Sequence, residues 1–282
     1  MDPLLQLDAP HAVAGLLVGL LVGLTGVGGG SLMTPLLVLM FGVNPQTAVG
    51  TDLLFASATK TVGSGVHGWR DTVDWKIVRR LAMGSLPAAA ITLAILADAG
   101  PVDKATQHVL LVVLACMLAL TSVTVFFQKR LIAYVTHHDP LLPARQVLWP
   151  TIALGAVIGT AVALTSVGAG AIGVTALLML YPHLPVARIV GTDIAHAVPL
   201  TLLAGIGHWV IGDVHVPLLV NLLIGSIPGV IIGSFISTRA RDGVLRPLLA
   251  VVLVLSAWQL MVKAYAPDKV KIKPMTTAIK GH

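Results

Sequence analysis

Apolar and polar positions along this chain separate into long blocks. Eight apolar runs, at about residues 12–41, 46–68, 77–97, 105–128, 147–181, 186–211, 216–237 and 244–263, are divided by short stretches rich in charge, Pro or Gly. A helix needs about 20 apolar residues to cross a bilayer, so the pattern predicts an all-α, polytopic membrane protein. The first and fifth runs are too long for one ordinary span. Each is interrupted near its middle, one by Gly26, Gly28, Gly29 and Gly30 and the other by Gly168 and Gly170. Each therefore reads as a pair of half-helices.

The matching interruptions point to a duplication. At a shift of 140, Leu24, Thr25, Val27, Gly28 and Gly30 fall on Leu164, Thr165, Val167, Gly168 and Gly170, and Pro45 falls on Pro185. One inserted residue changes the shift to 141. Val49-Gly50-Thr51-Asp52 then matches Val190-Gly191-Thr192-Asp193, His67 matches His208, and Leu81, Gly84, Ser85 and Pro87 match Leu222, Gly225, Ser226 and Pro228. The organisation expected is a first four-segment repeat over 1–128, a basic linker over 129–146, a second four-segment repeat over 147–263 and a basic tail over 264–282.

Loop charge bears on how the repeats are oriented, because Lys and Arg collect on the cytoplasmic side. Arg70, Lys76, Arg79 and Arg80 lie in loop 69–80, whereas its counterpart 212–217 has no Lys or Arg. The next loops reverse the contrast: 98–104 has only Lys104, and 238–246 has Arg239, Arg241 and Arg246. That alternation favours inverted repeats, each with an odd number of crossings, so each glycine-broken block would be re-entrant. A parallel arrangement of eight crossings stays open. It would bring the tail lysines, Lys263 to Lys280, inside at the cost of exposing the Arg239 to Arg246 cluster.

Composition narrows the class further. Only 11% of the residues are charged and the mean hydropathy is +0.92, whereas soluble domains are roughly a quarter charged. All 12 acidic residues are Asp, which removes glutamate-dependent enzymes such as H-E-x-x-H proteases. The glycine breaks also fail the G-x-G-x-x-G, G-K-[ST] and G-x-S-x-G patterns. Neither an enzyme nor a bound cofactor or metal is expected. The net charge of +6 sits in loops, a pattern of membrane orientation and not of nucleic-acid binding. Cys116, the only cysteine, reads as a small buried hydrophobe. Asp2 and Asp8 precede the first apolar run, without the basic start of a signal peptide, so that segment is expected to stay.

Candidate chemistry gathers at the breaks. Unwound backbone at membrane depth is tolerated only where it lines protein or water, and the half-helix after each break presents free N–H groups and a partial positive charge. Gly28, Gly29, Gly30 and Ser31, with Gly168 and Gly170, could thus cradle an anion near the midplane, or the glycines could simply permit close packing. An alanine at Gly28 or Gly168 is expected to cost binding and not stability. Asp52 and Asp193 are either functional intramembrane acids or interfacial helix-start residues. Thr51 and Thr192 could orient a ligand or bond their own backbone. Lys60 is deep in its run and needs an anionic partner, either substrate or Asp; its counterpart is Thr201. His67, His196 and His208 are candidates for proton coupling. His67 and His208 also stand near Trp69 and Trp209, as interfacial residues would.

These residues together, Gly26 to Gly30, Asn44-Pro45, Val49-Gly50-Thr51-Asp52, the basic loop and the weaker second copy, resemble the sulfite exporter TauE/SafE family, over about residues 12–262. The resemblance implies an inner-membrane transporter of sulfite or organosulfonates, with matching positions Gly28, Gly29, Gly30, Thr51, Asp52, Gly168, Gly170, Thr192 and Asp193. Ala169 replaces Gly29 in the second copy, a departure that would make the half-sites unequal. The expected function is export of a small sulfur-containing oxyanion, inorganic or organic, across a lipid bilayer by alternating movement of two repeats. The rival is a divalent-cation permease using Asp52, Asp193, His67, His196 and His208. Self-association as a homo-oligomer is left open.

Overall fold

A computed structural model of the chain describes residues 8–25, 30–67, 73–100, 103–136, 147–237 and 242–265, and every regular element in them is a helix. In the first half these are α1 (Ala9–Thr25), α2 (Gly30–Leu39), α3 (Pro45–His67), α4 (Trp75–Asp98) and α5 (Lys104–Thr136). In the second they are α6 (Leu148–Thr165), α7 (Ala171–Leu180), α8 (Val186–Ile211), α9 (Val216–Ser237) and α10 (Asp242–Tyr265). Two helices stand where each over-long apolar block was read. α5 runs past its apolar block into the basic linker, carrying Lys129 and Arg130 on its last turns.

Among the described residues, six helices are long and apolar enough to cross a membrane: α4, α5, α6, α8, α9 and α10. α3 has 23 residues, a sufficient length, but Gln46, Thr51, Asp52, Ser57, Thr59 and Lys60 are all buried along it. Its polarity is an inward one, so it marks the helix that lines the interior.

Packing is reciprocal between the halves. α1 lies along α9, with Gly15 against Leu222, Gly19 against Ser226 and Gly23 against Val230; its counterpart α6 lies along α4, with Gly155 against Leu81 and Gly159 against Ser85. A Cβ at any of these glycines would overlap the facing backbone carbonyl, which explains why both seams are built from small residues four apart. Residue numbers rise together across both seams, so each pair is parallel. α3 and its counterpart α8 run antiparallel, Gly50 meeting His208 and Gly205 meeting Leu54. So do α5 and α10: His108 Nδ1–H donates to the Ala264 carbonyl and Ser122 Oγ to the Ala250 carbonyl, both at 2.8 Å.

The half-helices turn back on themselves. α2 joins α3 by a tight turn and returns along it, placing Thr34 beside Asp52. α9 begins where α3 begins, since the His215 N–H donates to Thr51 Oγ1 at 3.2 Å. α1, α9 and α3 therefore point one way and α2 the other. Lys263 is committed to this arrangement: its ammonium donates to the Val38 carbonyl at 2.7 Å, at the C-terminal end of α2 where a cation complements the helix dipole. Cys116, expected inside, is exposed on α5; an apolar run does not distinguish a core-facing from a lipid-facing position.

Candidate functional site

The second break has defined geometry. Ser166 has φ 58°, Gly168 φ 130° and Gly170 φ 134°, and α7 restarts with Gly173 N–H donating to the Gly168 carbonyl and Val174 N–H to the Gly170 carbonyl. At Gly168 an added Cβ would meet nothing nearer than 3.6 Å. The positive φ is the constraint, and a side chain there is strained by about 1–3 kcal/mol. This overturns the expectation that Gly168→Ala would leave stability untouched. Gly28 and Gly29, with Gly26 and Val27, lie outside the described residues; Gly30 opens α2 and Ser31 is buried in its first turn.

Both aspartates sit at the starts of the half-helices. Asp52 Oδ2 accepts the Thr34 N–H at 3.1 Å and the Thr34 hydroxyl at 2.5 Å. Ser166, from the other repeat's break, lies near the same carboxylate without meeting it in hydrogen-bond geometry. Asp193 has its carboxylate against the Cα of Gly173, so tightly that a methyl there would collide with Oδ1, and near the Gly170 N–H. A carboxylate at a helix N-terminus complements the partial positive charge. The place assigned from sequence to a bound anion is thus shared, in each half, with one of the chain's own acids.

Lys60 connects the halves. It is buried and within electrostatic reach of Asp193 and Asp52, and His196 lies within its field. His196 Nε2 is 2.7 Å from Ser85 Oγ, a bond from α8 to α4. Asp52 Oδ1, Asp193 Oδ1, Ser166 Oγ and His196 Nδ1 are buried with no hydrogen-bond partner among the described residues. Unmet acceptors beside a buried ammonium are costly unless something bridges them. Here they mark a buried polar cluster, termed the chamber, between α3, α8 and the second break.

Thr51, Thr192 and His208 occupy a different place, the joints between repeats. Thr192 Oγ1 donates to the Arg188 carbonyl at 2.7 Å and accepts the Asp74 N–H at 2.9 Å, while Thr51 Oγ1 accepts the His215 N–H. Asp74 and His215 are themselves counterparts, so the two threonines make the same bond with exchanged partners. His208, fully buried, has Nε2 2.9 Å from the Ala163 carbonyl and Nδ1 3.5 Å from Asp213 Oδ2 without hydrogen-bonding it; that oxygen accepts from Gln46 Nε2. His67 ends α3, with its side chain outside the described residues. Among the described residues no three His, Cys or Asp side chains gather as a metal site would require.

Thr34, Ser85, Ser166 and Gly173 were not singled out from sequence. Ser85 was visible as a repeat match to Ser226, but its role depends on α4 approaching α8. Gly173 carries no local signal, since only the fold brings Asp193 to it.

Comparison with known proteins bears on the same span. The family model described as "Sulfite exporter TauE/SafE" matches residues 11–260. The "Probable membrane transporter protein YjnA" of Bacillus subtilis is 40% identical over 251 residues, 88% of this chain and 97% of that protein. "YdhB" of the same organism, also termed a probable membrane transporter protein, is 29% identical over 223 residues, covering 77% and 85%. A "Probable membrane transporter protein" of Xylella fastidiosa is 25% identical over 229 residues, covering 80% and 83%. No solved structure gives a significant match.

Proposed function

Because the chain belongs to the sulfite exporter TauE/SafE family of integral membrane transporters, we propose that it is a secondary transporter exporting a small sulfur-containing oxyanion, sulfite or an organosulfonate. The observation that carries this reading is the buried lysine between two half-helix aspartates. Lys60 and the N–H groups at the starts of α2 and α7 supply positive potential inside a low-dielectric interior, where a small oxyanion with several acceptor oxygens is held best. The substrate binds by taking the lysine from Asp193, and the released carboxylate accepts a proton, since an unpaired buried charge costs several kcal/mol. Proton and anion then cross together.

Alternating access follows from the reciprocal packing. Antiparallel α3/α8 and α5/α10, together with half-helix pairs that turn back, support three crossings per repeat and an inverted two-fold relation in the membrane plane. The interlocks at Thr51–His215 and Thr192–Asp74 are equivalent, so loosening one while tightening the other exchanges the open side at little net cost. The cation-permease alternative has less support. Lys60 within reach of both acids raises the potential a divalent cation would meet, and the histidines are separated, His196 in the chamber and His208 at a joint.

The test is flux into proteoliposomes, comparing sulfite, sulfate, thiosulfate, an organosulfonate and nickel, with an internal pH dye. Saturable oxyanion flux that moves protons is expected. Nickel flux without anion flux would overturn the assignment.

A further inference from the structure

A cavity of about 300 Å³ opens where α4 and α8 begin, its wall including Asp74, Lys76, Arg80, Tyr181, His183 and Leu184. We propose that it is the loading site for the oxyanion, a cationic vestibule on one face only; this rests on the transport reading above.

Position comes first. α4 and α8 run parallel, Ser85 meeting His196 and Gly207 meeting Leu93, so both helices start at this face. The cavity edge reaches the chamber in two steps: the Asp74 N–H donates to Thr192 Oγ1, and Asp193 is the next residue of α8. The volume equals about ten waters' share of liquid, room for an oxyanion that keeps part of its hydration.

Charge comes second. Asp74 is already committed, its Oδ1 accepting the Lys76 and Ile77 N–H groups as the cap of α4 and its Oδ2 lying 3.7 Å from Arg188. Arg80 is steadied by Tyr181, whose hydroxyl is 3.2 Å from its Nη1 and 2.7 Å from Thr151 Oγ1. A guanidinium has five N–H donors, so that one bond fixes its direction and leaves others for an oxyanion. Beneath lies the apolar cluster of Ile77, Leu81, Val174, Leu177 and Ile189, and low-dielectric walls focus the field of charges above them.

The opposite mouth provides the contrast. At the counterpart positions, Lys76 becomes Pro217, Arg79 becomes Val220, Arg80 becomes Asn221 and Arg188 becomes Thr47. Asn221 there is spent on the chain, its Oδ1 accepting the Asp8 N–H. At these counterpart positions a backbone built twice carries its charges once, at the mouth that the basic loops 69–80 and 238–246 make cytoplasmic, while Lys263 at the opposite end is bonded to the Val38 carbonyl. Cytoplasmic loading is what an exporter requires.

The ligand chemistry is an oxyanion, whether a free ion or a lipid phosphate, and the experiment separates these. In a Cys116→Ala background, His183→Cys is labelled with a membrane-impermeant maleimide, with sulfate as the probe. Sulfate should slow labelling severalfold at low ionic strength, and this protection should vanish in Arg80→Gln. In neutral phosphatidylcholine vesicles protection must persist; protection that appears only with phosphatidylglycerol, without sulfate, would assign the cavity to a headgroup and overturn the loading role. Failure of sulfate to protect would also overturn it, even if oxyanion flux is observed. Conversely, absent flux with intact protection would sink the transport reading and leave the anion site standing. Where flux is measurable, Lys76→Gln with Arg80→Gln should raise KM about tenfold from the cytoplasmic face and leave KM from the other face unchanged; because a substitution cannot move the transport equilibrium, the inward maximal rate should fall in the same proportion. Equal shifts on both faces would place these residues in the transport chamber and not at a loading site.

Discussion

Asp52 and Asp193 are the same residue of two repeats, and each lies against the start of its own half-helix, yet their surroundings differ. Asp52 is held by both the backbone and the hydroxyl of Thr34. Asp193 faces Gly173, and Lys60, within reach of both acids, couples more strongly to Asp193 than to Asp52. The first carboxylate is fastened by two bonds from Thr34; the second is coupled to a buried ammonium. Lys60 corresponds to Thr201 and His196 to Phe55, so the asymmetry arises from two substitutions in otherwise equivalent helices. In the mechanism proposed above, backbone symmetry would serve the exchange of open sides, and side-chain asymmetry would give the transported ion one place to compete for.

The sharpest way to break this comparison is at Lys60. Lys60→Met should lower oxyanion flux about 100-fold, the loss of a charge-assisted contact worth roughly 3 kcal/mol. It also strands two acids, so the protein should lose thermal stability, and adding Asp193→Asn should restore stability without restoring flux. Normal transport by Lys60→Met would remove the lysine from the mechanism. Next, Asp193→Asn should abolish the proton movement that accompanies anion flux, read with the internal dye. Asp52→Asn should slow both together and keep their ratio; equal uncoupling by both variants would mean the half-sites are alike.

Gly168→Ala should cost about 1–3 kcal/mol of stability through its positive φ, read as a lower melting temperature, whereas Gly173→Ala should act on Asp193 and change the pH profile of flux. Thr51→Val and Thr192→Val should each cost about 1 kcal/mol of stability and leave KM unaltered. A selective change in KM would return these threonines to a ligand-orienting role. The smallest effect concerns placement only. In the Cys116→Ala background, single cysteines at Lys76 and His215 should label from opposite faces; labelling from one face would rule out inverted repeats.

How much of this was legible in the sequence depends on the range of each interaction. Lengths of apolar runs, the doubled breaks and the 140–141 offset follow from local composition, because hydrophobic thickness and backbone satisfaction act on each segment separately. Lys60 was visible for the same reason: a charge in an apolar run is anomalous wherever the run folds. The glycines at four-residue spacing in α1 and α9 were written in the chain, but their partner helices were not.

Only tertiary structure decided what the polar residues meet. Thr51 and Thr192 fit a ligand-orienting role by sequence, and the fold spends them on each other's repeat through His215 and Asp74. Asp193 reaches Gly173, and Arg80 meets Tyr181, across contacts that no local pattern encodes. Local chemistry sets which segments enter the membrane and which charges must be answered there. The answer to each charge lies tens or hundreds of residues away, and only the packing of helices, governed by shape at the glycine seams, brings it within hydrogen-bond reach.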